Sequence, residues 1–200
     1  MPRGPVRDTE EVRADVVAAA ERLMIERGVR ALRLRDVITL SGVSNGQLYG
    51  AFASLDEVIL SVNAKTLRRL ETRLGQAVEV AEPGERLVAF ARLYLAFARE
   101  ETPLWRALFE FESQEQSELD AVLRDDQARL FAYPAGPLAA LYPDLDGEGV
   151  LLRARTLFSA VHGIVSTSLE SRYSGVTMER LEEELTSLVA AAVRGYLGRS

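Results

Sequence analysis

Two helix-start signals, ten residues apart, constrain the fold of this chain more than any other feature. The segments "SNGQ" at 44–47 and "SLDE" at 54–57 each place a serine three positions ahead of a side chain that accepts hydrogen bonds. This is the spacing of a capping box, in which each of the two side chains accepts a hydrogen bond from the other residue's backbone N–H. Gly42 precedes the first signal and suits the positive φ that a tight inter-helix turn requires. The pattern predicts a helix-turn-helix followed by another turn and helix.

The rest of the chain repeats a helical period. Apolar residues recur at spacings of three and four along the 200 residues, and no long stretch alternates with period two. We predict about nine helices, from a first helix at Thr9–Arg27 to a last one that starts after Thr177. The fourth is predicted to end near Glu79, and the eighth to run from about Gly149 to Tyr173 after breaks at "YPAGP" and "YPDLDGEG". The expected fold is all-α, with a three-helix N-terminal domain joined to a C-terminal helical bundle.

The composition argues against several classes of protein. The chain has no cysteine, so neither a disulfide framework nor a thiolate metal site is expected. No apolar run approaches the ~20 residues of a membrane span, and the N-terminus lacks the apolar segment of a signal peptide. We therefore expect a soluble, cytoplasmic protein without a membrane partner.

Residues that could carry catalysis are sparse. His162 is the only histidine, and although Ser159 and Ser166 lie about one helical turn from it, no motif frames them. The segment "DLDGE" at 144–148 is faintly similar to a calcium loop but lacks the remaining ligands and the terminal glutamate, so a polar inter-helix loop is expected. We predict that the chain is not an enzyme and has no metal site and no cofactor.

The stretch from Val43 to Phe52 has the composition of a helix that reads the major groove of DNA. Gln47 matches the edge of adenine, Asn45 matches adenine or a phosphate, and the Tyr49 hydroxyl suits a phosphate oxygen. The predicted DNA-contacting residues are Arg33, Arg35, Ser44, Asn45, Gly46, Gln47, Tyr49 and Ser54. Residues 1–56 have no net charge, so the −6 lies in the rest of the chain and phosphate repels the N-terminal part less. An interaction helix in a plain helical bundle is the alternative.

Residues from about 15 to 62 resemble the N-terminal DNA-binding domain of TetR-family transcriptional regulators. The resemblance is carried by an alanine-rich first helix, Gly28, "DVI" in the second helix, "GVSNGQLY" and Phe52. It implies an all-helical homodimer with a variable C-terminal domain that binds a small ligand and releases DNA. Further along, "LYLAFAREETPLWRALFEFE" and "FSAVHGIVSTSLE", with its His162–Gly163 pair, resemble a C-terminal domain type of the same family.

The chain also departs from the family pattern. Leu55 stands where a phosphate-binding lysine usually opens the fourth helix, and Ala51 stands where a histidine or similar polar residue is common. Arg33 replaces a hydroxyl residue that usually caps the second helix, and Ile38 and Ser41 replace small alanines. Each lost phosphate contact weakens binding to all DNA sequences. The alternative to a working regulator is therefore a small-molecule- or protein-binding dimer whose DNA-binding head is weakened or lost.

Aromatic residues recur at helical spacing in the C-terminal part, and two interpretations of them stay open. Such stripes usually form core, but a cavity among these helices would be mostly apolar with few polar groups, as ligand pockets are. Tyr94, Trp105 and His162 are candidate polar contacts, although His162 also fits a buried histidine that hydrogen-bonds a neighbour. The predicted ligand-contacting residues are Phe90, Tyr94, Phe97, Trp105, Phe109, Phe131, Phe158 and His162.

The last two predicted helices have features of a dimer interface. The eighth contains Gly163 and "STS" at 166–168, which allow close approach. The ninth carries an apolar stripe of Leu181, Leu185, Leu188, Val189, Ala192 and Val193. Two such helices from each subunit would form a four-helix interface, and burial within the monomer is the alternative.

These features combine into one functional prediction. The chain is expected to be a ligand-responsive transcriptional repressor, with a DNA-binding domain at 1–56 and a ligand-binding and dimerisation domain at 57–200. A small, largely apolar ligand is expected to release it from a palindromic operator in double-stranded DNA.

Overall fold

The computed structural model describes residues 8–113, 117–170 and 176–197, except for the side chains of residues 196 and 197. Over these ranges the chain forms ten α-helices and two short 3-10 turns, at Val29–Ala31 and Gln76–Glu79, and contains no β-strand. The helices are α1 (Thr9–Arg27), α2 (Leu34–Ser41), α3 (Asn45–Ala51), α4 (Leu55–Gly75), α5 (Pro83–Glu100), α6 (Thr102–Glu110), α7 (Glu118–Leu130), α8 (Ala135–Leu141), α9 (Gly147–Leu169) and α10 (Leu181–Leu197). The predicted all-α fold is confirmed.

Side-chain caps set the starts of several helices. The Asp8 carboxylate accepts a hydrogen bond from the Glu10 N–H at 3.4 Å and begins α1, which has the predicted bounds. Glu82 accepts from the Glu85 N–H at 2.6 Å and begins α5, whose first residue is Pro83. Asp146 accepts from the Gly149 N–H at 2.7 Å and begins α9, so the "DLDGE" segment contains a helix start.

The structure differs from the prediction at several helix bounds and by one additional helix. The last helix was predicted to start after Thr177, but residues 178–180 form a turn and α10 starts at Leu181. Helix α8 was not predicted, because its seven residues contain Pro137 and lie between two proline-rich breaks. Helix α4 ends at Gly75, and the 3-10 turn that follows it reaches the predicted end at Glu79. The predicted end of the eighth helix at Tyr173 lies outside the described residues, within which α9 ends at Leu169.

The chain divides into two compact units, and each unit contains two separate segments. The first unit comprises residues up to Arg68 and the segment Pro103–Arg124, and the second comprises Arg69–Thr102 and residues from Asp125 onwards. Helices α4 and α7 therefore each contribute residues to both units. The predicted boundary between residues 56 and 57 separates a DNA-binding domain from a ligand-binding domain by function rather than by compactness. That boundary stays a prediction.

The core of the first unit forms where α1, α2, α3 and the start of α4 pack together. Val16, Val37, Leu48 and Val58 are fully buried there, one from each of these helices. Two buried residues of α6, Leu104 and Ala107, belong to the same core. The α6 residues are therefore part of the packing that holds the N-terminal helices.

Helix α5 forms the centre of the second unit. It packs against α8, α9 and α10 and buries seven side chains. Arg92 of α5 and Glu182 of α10 form an ion pair at 2.5 Å across this packing. None of the helices in the described ranges combines the length and the apolarity that a bilayer crossing requires.

Candidate functional site

A closed capping box fixes the start of α3, as predicted. Ser44 Oγ accepts a hydrogen bond from the Gln47 N–H at 3.3 Å, and Gln47 Oε1 accepts one from the Ser44 N–H at 2.9 Å. The turn before it contains Gly42 with φ of 70°, in the left-handed region that glycine adopts without strain. The α2-turn-α3 geometry expected from the sequence is therefore present.

The capping box limits what Gln47 can do. A bidentate contact with adenine needs the amide oxygen to accept from the base and the amide nitrogen to donate to it. Gln47 Oε1 already accepts hydrogen bonds from both the N–H and the hydroxyl of Ser44, each at 2.9 Å. With the box closed, Gln47 has its Nε2 donor for DNA, and its oxygen positions α3.

The outer face of α3 carries polar and small residues. Asn45, Gly46 and Gly50 are exposed, and Tyr49 is 62% exposed, which is unusual for so large an aromatic side chain. The inner face of the helix is anchored by Leu48, which is fully buried. This division leaves the predicted contact residues on the solvent side of a helix that is held from behind.

The two arginines near α2 have different surroundings. The Arg33 guanidinium donates to the carbonyl oxygens of Arg30 at 3.0 Å and Leu32 at 2.8 Å, so it folds back on the turn before α2. The Arg35 side chain is 87% exposed and lies 3.4 Å from an Asp36 oxygen. Arg35 is the better placed of the two to offer a positive charge to a phosphate.

The start of α4 is capped by Ser54 and Glu57. The Glu57 N–H donates to Ser54 Oγ at 3.2 Å, and the Glu57 carboxylate accepts from the Ala53 N–H at 2.7 Å. Leu55, the first residue of α4, is half-buried against the core of the first unit. The first turn of α4 also contains Asp56 and Glu57, so this helix start presents acidic rather than basic side chains.

Sequence reasoning missed Arg13. This α1 side chain donates hydrogen bonds to the carbonyl oxygen of Ala51 and to Glu57, and its guanidinium lies over the Phe52 ring. The sequence contains eight arginines before residue 57, and nothing in the helical period distinguishes this one.

A small apolar cavity lies in the second unit, among α5, α9 and their neighbours. Its volume is about 30 Å³, room for one or two water molecules. It is lined by Leu74, Leu87, Phe90, Ala91, Tyr94, Leu130, Tyr133, Pro134, Leu157, Phe158, Val161 and Val189. No charged side chain is among these lining residues, so the cavity suits an uncharged group.

Aromatic rings and the histidine pack around this cavity as two groups, Tyr94 with Phe158 and His162, and Phe90 with Tyr133. The Tyr94 and Phe158 ring centroids are 5.2 Å apart, and those of Phe90 and Tyr133 are 5.7 Å apart, both in edge-to-face arrangements. The Tyr94 hydroxyl and His162 Nδ1 share a hydrogen bond of 2.7 Å. Burial lowers the pKa of His162, because it disfavours the charged imidazolium.

The structure brings together part of the predicted ligand set. Phe90, Tyr94 and Phe158 line the cavity. Phe131 and His162 do not line the cavity but contact residues that do. The Phe131 and Phe158 ring centroids are 4.5 Å apart, and His162 forms a hydrogen bond with Tyr94.

The other three predicted residues do not line the cavity. Phe97 is buried in the second unit away from the cavity lining. Trp105 and Phe109 belong to the first unit, where their ring centroids are 5.6 Å apart. Helical spacing identified an apolar face on α6 but could not identify the core that this face joins.

Tyr133 is a cavity residue that the sequence analysis did not select. Its hydroxyl lies 3.5 Å from the backbone carbonyl oxygen of Glu71. Burial raises the pKa of Tyr133, and the negative charge of Glu71 raises it further. Its place in the "YPAGP" segment led to its interpretation as part of a break between helices.

Four of the six residues in the predicted apolar stripe of α10 are buried inside the single chain. Leu181, Leu185 and Val189 have no exposed surface, and Val193 is 9% exposed. Helix α10 packs against α5 and α9, so the alternative of burial within the monomer holds for these four residues, whereas Leu188 and Ala192 are partly exposed. The exposed face of α9 instead carries Leu152, Ser159, Ala160, Gly163 and Thr167.

Comparison with known proteins gives matches in both parts of the chain. The family model described as "Tetracyclin repressor-like, C-terminal domain" matches residues 87–196. The model described as "Bacterial regulatory proteins, tetR family" matches residues 16–62.

Individual relatives agree with these matches. The HTH-type transcriptional regulator TtgR of Pseudomonas putida is 30% identical over 95 residues, which is 48% of this chain and 45% of TtgR. The match thus spans less than half of that relative. A protein of unknown function from a Rhodococcus species has a similar fold, with a TM-score of 0.75 and 21% identity over 92% of this chain and 94% of its own. The TetR family transcriptional regulator PfmR from Thermus thermophilus has a TM-score of 0.63 and 21% identity, over 90% and 97% of the two chains.

Proposed function

Because the chain belongs to the TetR family of bacterial regulatory proteins, we propose that it is a DNA-binding transcriptional regulator. It acts as a dimeric repressor that leaves a palindromic operator when a small, largely apolar ligand enters the second unit. The observation that carries the proposal is α3, whose start is capped, whose inner face is buried and whose outer face offers Asn45, Gly46 and Tyr49 to solvent.

The contacts with DNA follow from the chemistry of the exposed groups. Asn45 and the Gln47 Nε2 group face base edges, while the Tyr49 hydroxyl and Arg35 bind phosphate oxygens. Gly46 allows the backbone to approach the duplex, and Ser54 with the backbone behind it holds a phosphate at the start of α4. Arg33 contributes charge from the turn before α2.

The ligand response follows from the size of the cavity. A space of about 30 Å³ holds no molecule larger than water, so a ligand must displace lining side chains or helices as it enters. Such a ligand is uncharged and mostly apolar, with a polar group within reach of Tyr94, Tyr133 or His162. Because ligand and operator favour different arrangements of one protein, each lowers affinity for the other by the same factor.

The dimer interface is assigned to the exposed face of α9 together with that of α10. On α9 this face carries Leu152, Ala160 and Gly163, and on α10 it carries Ser187 and Ala191. Small residues allow helices from two subunits to approach closely and form a four-helix interface. The two α3 helices then meet half-sites about one helical turn, ~34 Å, or a multiple apart.

The test is selection of random duplex DNA by the purified protein, followed by sequencing. Recovery of a palindromic motif supports a dimeric reader of DNA and supplies a probe for ligand screening by loss of binding. If no sequence is enriched by a folded dimer, the repressor proposal is wrong.

The second candidate function is a ligand- or protein-binding dimer with a weakened DNA-binding head. It is motivated by Leu55, which lies half-buried at a helix start whose first turn contains Asp56 and Glu57. A salt titration separates the two functions, since each phosphate contact adds about 0.9 to the slope of log affinity against log salt. A steep slope with sequence preference supports the repressor, and a shallow slope without preference supports the weakened head.

A further inference from the structure

Arg13 of α1 joins three consecutive parts of the first unit. Its guanidinium donates hydrogen bonds to the carbonyl oxygen of Ala51, the last residue of α3, and to Glu57 Oε1 of α4 at 3.1 Å. The guanidinium carbon also lies 4.2 Å from the centroid of the Phe52 ring. One side chain therefore contacts the end of α3, the turn after it and the first turn of α4.

Glu57 extends this set of contacts into the turn. Its second carboxylate oxygen accepts from the Ala53 N–H at 2.7 Å, and its own N–H donates to Ser54 Oγ at 3.2 Å. The Arg13 and Glu57 side chains are 32% and 24% exposed, so solvent screens this ion pair less than a fully exposed one. The pair is thus suited to hold geometry rather than to bind an outside partner.

We propose that Arg13 is a positioning residue for DNA recognition, which fixes the orientation of α3 relative to α4 without contacting DNA. This inference rests on the proposed DNA-binding function. Helix α3 has seven residues, and an isolated helix of that length is not stable in water. The capping box holds its first turn, and Arg13 holds its last, where the carbonyl groups carry partial negative charge.

The position requires arginine rather than any cation. The guanidinium is planar and presents several donors in fixed directions, so it can bind a carbonyl and a carboxylate while it stacks on a ring. Lysine keeps the positive charge but is a point charge on a flexible stem. Arg13→Lys therefore removes the geometry and leaves the charge.

The test compares Arg13→Lys, Arg13→Gln and Glu57→Gln with a matched control, Arg22→Gln. Arg22 lies on the same helix, its side chain is 68% exposed, and it pairs with Glu26 one turn away. The control therefore removes one positive charge from α1 outside the proposed contacts. Affinity is measured for a labelled duplex with the palindrome recovered by selection and for a scrambled duplex of equal length, over a range of salt concentrations.

Positioning predicts a loss of specificity alone. Arg13→Lys and Glu57→Gln should bind the selected duplex about tenfold more weakly, while their affinity for the scrambled duplex and their salt slopes match the wild type. Arg22→Gln should behave as the wild type does. Amide hydrogen exchange should be faster in α3 of Arg13→Lys than in α3 of the wild type.

Three outcomes overturn the proposal. Equal loss of affinity for both duplexes in Arg13→Gln, with a salt slope lower by about one, means that Arg13 binds a phosphate directly. An unchanged specificity ratio in folded Arg13→Lys, with a lower unfolding temperature, means that the residue contributes stability alone. Unchanged affinity and unchanged exchange mean that the contacts have no role.

The exchange measurement also separates this inference from the proposed function. If the wild type prefers no duplex, the proposed function fails, and the exchange of α3 amides in Arg13→Lys still decides whether Arg13 holds the helix. Faster exchange then supports the positioning contact, and unchanged exchange rejects it. Circular dichroism shows whether each variant is folded. If Arg13→Gln does not fold, the comparison of Arg13→Lys and Glu57→Gln with the wild type remains a test of the proposal.

Discussion

The side-chain amide oxygen of Gln47 can bond either Ser44 or an adenine base, but not both at once. This oxygen accepts hydrogen bonds from Ser44, and the same oxygen would be needed for a bidentate contact with adenine. Loss of the Gln47 side chain would therefore disturb the start of α3 as well as any base contact. Tests of base readout at this residue must separate the two effects, whereas Tyr49 offers a test that does not touch the cap.

Tyr49→Phe is expected to weaken DNA binding equally on all sequences. The ring is 62% exposed and keeps its place without the hydroxyl, so the change removes only a hydrogen bond to a phosphate. The expected loss is about 1–2 kcal/mol, roughly five- to thirtyfold, measured by fluorescence anisotropy on the selected duplex and on single-base variants of it. Thermal stability should not change. A loss confined to one base position would contradict the phosphate role.

His162 should make the stability of the second unit depend on pH. Burial lowers its pKa in the folded state, so between that value and the unfolded value near 6.5 the unfolded chain binds more protons. The contribution of neutral His162 to stability is therefore fully present above pH ~6.5 and is lost as pH falls through the lower folded-state pKa.

The measurement for this prediction is urea unfolding of the wild type and of His162→Gln above and below pH ~6.5. The wild type should lose more unfolding free energy on acidification than the variant does. Because both proteins share all carboxylates, the difference between them isolates the histidine. Parallel pH dependence in the two proteins would show that His162 titrates alike when folded and unfolded.

At the scale of elements, α3 depends on its cap more than a long helix would. It has seven residues, and Ser44 satisfies a backbone N–H of its first turn. Ser44→Ala should lower the free energy of unfolding by about 1 kcal/mol, a fall of roughly 2–4 °C in Tm for a chain of this size.

Thr39→Ala is the matched control for the cap. It also removes one hydroxyl from the first unit, but the Thr39 hydroxyl bonds the Arg35 carbonyl within α2. Such a bond inside a helix adds little stability, so differential scanning calorimetry should show a smaller change. Equal changes in the two variants would mean that the cap contributes nothing special.

Elements were predictable from sequence where the start or end of a helix has its own chemistry. Asp8, Ser44 and Ser54 are short polar residues whose side chains replace missing backbone partners, so α1, α3 and α4 begin where they were expected. Helix α8 lacks such a cap, since Pro134 precedes it, and its stability comes from the burial of Pro137 and Leu138. Burial of that kind depends on tertiary packing, which local sequence does not encode.

The candidate site was predictable to the same limited extent. Phe90 and Tyr94 are one helical turn apart on α5, and spacing alone placed them on one face. Spacing also selected Trp105, but its burial is in the first unit, and the assignment of a helix face to a core is a property of the whole fold. Tyr133 and Arg13 were missed for the same reason, because their partners are distant in sequence.

For the whole molecule, Ala160→Arg is expected to convert the proposed dimer into a monomer. Ala160 is exposed on the face of α9 assigned to the interface, and in a twofold interface the change brings two arginines close together. Sedimentation or light scattering should show the monomer mass, with helical content unchanged. The affinity for the palindromic duplex should also fall, because a monomer binds only one of its two half-sites.

Ala140→Arg is the matched control for this prediction. Ala140 is exposed on α8, outside the assigned interface, and the substitution adds the same charge and bulk. It should leave the mass of the assembly unchanged. A dimer that survives Ala160→Arg would place the interface elsewhere.

The two-segment make-up of the first unit limits how this protein can be re-engineered. The core behind α3 includes Leu104 and Ala107 of α6, which follow the end of α3 by some fifty residues of chain. A fragment cut after residue 56 would lose these two side chains, along with Val58 and Val62, and would expose the surface they cover. A chimaera that transfers α1, α2 and α3 to another protein must therefore carry the residues of α6 with them, or redesign the surface that α6 leaves exposed.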